Sequence, residues 1–82
     1  MIVAKKWRHV QLEVRQYATA NLYSLASTHG MKARLGTFNY CHEWRQWAFA
    51  PDSRTEFSTD CLADIIDAIG EIMRIEAERA KP

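Results

Sequence analysis

Metal or nucleophile chemistry has few candidates in this 82-residue chain: His9, His29, Cys41, His42 and Cys61 are its only soft donors. None forms a CxxC or a helical HxxxH pair, the spacings that aim two ligands at one ion. Cys61 falls in the first turn of an expected helix, where the dipole favours a thiolate. Asp60 and Asp64 beside it oppose that effect, and no general base is assignable. There is no phosphate-binding glycine loop, no nucleophile elbow and no paired-carboxylate signature. The expectation is a protein with no enzymatic activity, no cofactor and no metal.

Surface chemistry is more promising. Asp60, Asp64, Asp67, Glu71 and Glu78 fall within a narrow arc of the last helix, opposite its isoleucines, and only Arg74 breaks the sign. Asp60/Asp64 and Asp67/Glu71 are like-charge i,i+4 pairs, each costing a few tenths of a kcal/mol (~0.3). A row of carboxylates suits a basic protein or nucleoprotein complex, including mimicry of a phosphate backbone; the plain alternative is a solvated face. The second candidate is Trp44 with Arg45, an aromatic beside cations able to anchor a protein contact or stack a base. The competing class is a small nucleic-acid-binding regulator using Lys5, Lys6, Arg8, Lys32, Arg34, Arg45 and Trp44.

Three elements must position these residues. Ser58 or Thr59 is a natural N-cap, Phe57 and Leu62 occupy hydrophobic-staple positions, and Leu62, Ile65, Ile66, Ile69, Ile72 and Met73 recur at helical spacing. A helix is therefore expected over roughly 59–79. Residues 8–29 also read as a helix, with Trp7, Val10, Val14, Tyr17, Ala18, Asn21, Leu22 and Leu25 on one side and Gly30 at its C-terminal stop. A strand competes there, because Val10, Leu12 and Val14 alternate with polar residues, but the alternation stops at Gln16. Residues 32–40 and 43–50 read as a hairpin. A two-residue loop at Cys41-His42 sets Phe38 against Arg45, Gly36 against Trp47 and Arg34 against Phe49. Phe38, Tyr40, Trp47 and Phe49 then share one face, Trp47 covers Gly36, and Trp44 lies on the other face near Lys32 and Asn39. Thr55-Glu56-Phe57 is a candidate short third strand. The expected fold is one α+β domain over 1–82, two helices packed on a small antiparallel sheet in the order α-β-β-α. So small a sheet has long unpaired edges, and a partner, a second copy of the chain included, would help it.

Composition bounds these expectations. The chain is 48% hydrophobic and 26% charged, with three Gly and two Pro, which is ordinary globular composition. Two cysteines are too few for a disulfide framework, and a reduced pair is the default. No stretch has the length and apolarity of a membrane span or signal peptide, so the cytoplasm is the default compartment. The net charge of +1 hides an asymmetry. Residues 1–45 carry seven cations against two anions, a balance of +5, and residues 46–82 carry four against eight, a balance of −4. Such a split hints at charge-guided association.

Glu43-Trp44-Arg45-Gln46-Trp47-Ala48-Phe49-Ala50-Pro51, followed by Phe57-Ser58-Thr59-Asp60-Cys61-Leu62 and the helix, resembles small orphan proteins of phages and mobile elements, among which anti-CRISPR proteins are one group. The resemblance covers about half the chain and is one of style, with no diagnostic motif. It implies an inhibitor in the host cytoplasm that occupies a surface on a host complex, and it assigns no site residue. Together with the carboxylate row, it leads to an expected non-enzymatic interaction module. Its partner-binding candidates are Asp60, Asp64, Asp67, Glu71, Trp44 and Arg45.

Overall fold

A computed structural model describes residues 1–30, 33–53 and 55–81. It contains five strands and one helix: β1 (Ile2–Lys6), β2 (Val10–Gln16), β3 (Asn21–Ser27), β4 (Arg34–Cys41), β5 (Gln46–Pro51) and α1 (Thr59–Arg79). The strands form one antiparallel meander in the order β1-β2-β3-β4-β5. The α-β-β-α order with two helices is therefore corrected to five strands followed by one helix.

The correction falls on residues 8–29, which form the β2–β3 hairpin instead of a helix. Residues four apart share a side in a helix and also in a strand, so Val10 and Val14 satisfy both periods. Leu12 decides between them. It lies off the helical stripe, yet it is fully buried beside Val10 and Val14, while Leu22 and Tyr17, both on that stripe, are exposed. The hairpin turn is Tyr17-Ala18-Thr19-Ala20, closed by the Tyr17 N–H donating to the Ala20 carbonyl at 2.9 Å. It contains no Gly, Pro, Asn or Asp, the residues that announce a turn. Gly30 does adopt the left-handed conformation, φ +58°, but in the β3–β4 connection rather than after a helix.

β4 and β5 pair as a hairpin with a different register. Cys41 pairs with Gln46, leaving a four-residue loop, His42–Arg45, in place of the two-residue loop at Cys41-His42. Phe38 faces Phe49, Tyr40 faces Trp47 and Gly36 faces Pro51. The offset moves each partner by an even number of residues, so Phe38, Tyr40, Trp47 and Phe49 still share a face. Phe49, not Trp47, covers Gly36: a Cβ there would lie 2.5 Å from Phe49 Cζ and 2.6 Å from the Ala50 carbonyl oxygen. Arg45 closes the loop with φ +55°. Thr55-Glu56-Phe57 is not a strand; Phe57 packs edge-on against Phe49, centroids 5.5 Å apart.

The helix 59–79 forms as its pattern indicates. Ser58 Oγ accepts from the Cys61 N–H at 3.2 Å, and Asp60 sits in the first turn. The helix lays Ile65, Ala68 and Ile72 on Val10, Leu12, Val14, Tyr23, Leu25 and Phe38 of the sheet. Burying one such aliphatic side chain is worth about 1.5–3 kcal/mol. The other sheet face is bare of helix.

Candidate functional site

The sheet-facing side of α1 is centred on Ile65, Ala68, Ile72 and Ile75. That centre is rotated from the expected stripe, because Leu62, Ile66 and Met73 remain exposed. The rotation turns the carboxylate row from the outer face toward the β1 flank. Asp67 accepts there from Lys5 Nζ and from the Trp7 indole Nε1, each at 2.9 Å. The Lys5 hydrogen bond, then the Trp7 one, hold the Asp67 carboxyl below its ordinary value, and the same bond to Asp67 raises Lys5. Lys5 also lies 5.2 Å from the Trp7 ring centroid. Glu71 pairs with Arg74, whose guanidinium lowers its pKa. Asp60 and Asp64 have no ion pair among the described residues.

The six sequence candidates therefore do not form one site. Asp60, Asp64, Asp67 and Glu71 run along the β1 flank. Trp44 and Arg45 lie in the loop beyond the opposite flank, between β4 and β5. Trp44 is in that loop rather than on a strand face, and eight-residue β4 separates the loop from Arg34 at its other end. Arg34 is engaged with Asp52, Nε to Oδ2 at 3.0 Å. Lys32 lies outside the described residues. Two of the cations in the basic half thus meet carboxylates of the acidic half within the chain itself: Lys5 with Asp67, and Arg34 with Asp52.

Geometry also brings together residues that were not grouped from the sequence. Tyr40, Arg45, Gln46, Trp47, Ile69, Met73 and Glu76 line an open cleft of about 380 Å³ between α1 and β5. Tyr40 and Trp47 stand edge-to-face at 5.8 Å, and Trp47 meets Tyr23 at 5.5 Å. The Tyr23 hydroxyl donates to Glu76 Oε2 at 2.5 Å. Burial, then that bond to a carboxylate, push its pKa up to about 12. The cleft was hidden because Met73 and Ile69 read as core in the helical pattern. On the bare sheet face, Glu13, Arg15, Leu22, Arg34 and Thr37 surround a second hollow. Nearby Gln11, 3% exposed, donates to Glu13 at 2.6 Å while its Oε1 has no partner.

Among the described residues no group of three His, Cys, Asp or Glu side chains is placed to hold a metal. Cys41 and Cys61 are free and half-buried. No helix among the described residues is long and apolar enough to cross a membrane. Comparison with protein families, with characterised proteins and with solved structures finds no match to this chain.

Proposed function

We propose that this chain is a non-enzymatic interaction module, a phage-type inhibitor in the manner of anti-CRISPR proteins, which occupies a surface on a host protein or nucleoprotein complex. The observation that carries it is Trp44. It is 66% exposed, the most exposed of the large aromatic side chains that face solvent. It stands at a loop tip whose course is set by the left-handed Arg45 and by the strand pair Cys41–Gln46. An indole presented on a short, anchored loop loses little freedom on binding and suits an apolar socket on a partner. Asp60 and Asp64, without an ion pair among the described residues, favour a partner with basic surface. They lie on the far flank, so they act on approach and selectivity while Trp44 anchors.

Affinity capture from a host lysate with parallel baits tests this. A specific partner should be held by the wild-type chain, lost with Trp44→Ala, and weakened with Asp60→Lys plus Asp64→Lys. A partner held equally by all baits would overturn the proposal. Retardation of nucleic acid at low salt, abolished by Lys6→Ala and Arg8→Ala, would replace it with the regulator reading.

A further inference from the structure

Two histidines that lie 20 positions apart in the sequence meet at one end of the sheet. His9 ends the β1–β2 turn, and His29 stands in the β3–β4 connection. β2 and β3 pair with Val10 opposite Ser27, so the residues just beyond these two strand ends are neighbours. His9 Nδ1 lies 3.1 Å from His29 Nε2, with the ring centroids 5.3 Å apart and the rings tilted by 48°. No HxxxH or CxxC spacing marks such a pair, because the hairpin and not the local chain brings it together.

The backbone around both rings is fixed. The His9 carbonyl accepts from the Thr28 N–H at 3.1 Å, and the Thr28 hydroxyl donates to the Arg8 carbonyl at 2.9 Å. Ser27 Oγ accepts from the His29 N–H at 3.1 Å. The Trp7 N–H closes the turn by donating to the Val10 carbonyl at 2.8 Å, and its indole is held by Asp67. A chelate whose two arms are already placed gives up little freedom when it closes on an ion. His9 is half-buried and His29 exposed, which leaves a path for entry from solvent.

We propose that His9 and His29 form a bidentate site for a borderline divalent transition-metal ion of the zinc and copper class. Two imidazole nitrogens on one tetrahedral zinc ion, each about 2.05 Å from it, stand about 3.3 Å apart with ring centroids about 5.2 Å apart. The 3.1 Å and 5.3 Å of this pair match both values to within about 0.2 Å, the tolerance expected of a metal site. In the metal-free pair one inner nitrogen carries a hydrogen and the other accepts it. When the ion enters, that hydrogen moves to the outer nitrogen of its own ring, and both inner lone pairs are given to the metal. A hydrogen bond between two imidazoles that water can reach returns little beyond what water offers each of them. Imidazole suits zinc, copper and nickel, whereas magnesium and calcium demand oxygen. No third His, Cys, Asp or Glu among the described residues joins the pair, so water fills the remaining positions. The ion ties the β1–β2 turn to the β3–β4 connection, at the end of the sheet opposite the Trp44 loop. It is a clamp on the fold, separate from the target anchor.

Titration of zinc chloride into the metal-free full chain tests the site. In NMR spectra the ring signals of His9 and His29 should move together while those of His42 stay in place. The melting temperature should rise with zinc, return with EDTA and ignore magnesium. His29→Gln alters an exposed side chain, so the circular dichroism spectrum should hold while zinc affinity falls about tenfold or more. His9→Gln should weaken zinc binding to the same degree. His42→Gln, Cys61→Ser and Trp44→Ala should each keep the wild-type affinity. Zinc that leaves both rings unmoved, or wild-type affinity in His29→Gln, would remove the site. Loss of binding with His42→Gln or Cys61→Ser would place the ion elsewhere and overturn the proposal as well.

Discussion

The two flanks of α1 solve opposite problems. Toward β1, polar groups find partners within the chain: Asp67 holds Lys5 and Trp7, and Glu71 holds Arg74. The edge strand there is defended as well, with Lys5, Lys6 and a bulge between Val3 and Lys5. Toward β5, apolar groups lack partners: Ile66, Met73 and Leu62 are exposed, the cleft beside Trp47 is open, and β5 carries no charged residue. One flank is finished by the chain's own folding at Asp67 and Glu71, with Asp60 and Asp64 left without an ion pair among the described residues. The other has the composition of a surface finished by a second molecule, and the proposed Trp44 anchor lies on it.

The sharpest way to break this comparison is to place the same charge on each stripe of α1. Ile72→Glu buries a carboxylate without a partner and should cost more than about 4 kcal/mol, enough to unfold a domain this small. Ile66→Glu should change monomer stability by no more than about 0.5 kcal/mol. Urea unfolding of both variants in dilute solution checks the contrast, and equal losses would mean that the outer stripe is structural. Next comes Gly36→Ala, which drives a methyl into the Phe49 ring and the Ala50 carbonyl. A loss of about 1–3 kcal/mol is expected, together with a changed aromatic circular dichroism signal from the β5 side.

Tyr23→Phe removes the hydroxyl bonded to Glu76 beneath the open cleft and should cost about 1 kcal/mol. The wild-type phenol should titrate near 12, read by tyrosinate absorbance. Because its folded pKa is raised above 10.0, its stabilising contribution is complete below that pH and disappears as pH rises through the folded value. The smallest effect belongs to Asp67→Asn on the finished flank. The Asp67 pKa is lowered from 3.8 and that of Lys5 is raised from 10.5. Their pairing therefore contributes between those values, fading as pH falls through the lowered Asp67 pKa or rises through the raised Lys5 pKa. The variant should show a shallower loss of stability on acidification, measured by urea midpoints across pH.

What local pattern controls was legible from the residues. The helix over 59–79, its Ser58 cap and the shared face of Phe38, Tyr40, Trp47 and Phe49 each follow from spacing or from one capping group. A register error of even size leaves a strand's faces unchanged, which is why the aromatic face survived an incorrect loop. The β2–β3 hairpin was not legible, because Val10 and Val14 fit two periods and the turn at Tyr17–Ala20 has no turn residue. Nor was the division of the helix into a used and an unused stripe. Leu62, Ile65, Ile66, Ile69, Ile72 and Met73 are alike in kind, and only the sheet decides which of them it covers. Likewise, the charge split between the halves is a property of the sequence. That Asp67 spends its charge on Lys5 while Asp60 does not is a property of the fold, because it depends on which carboxylate the meander carries to its first strand.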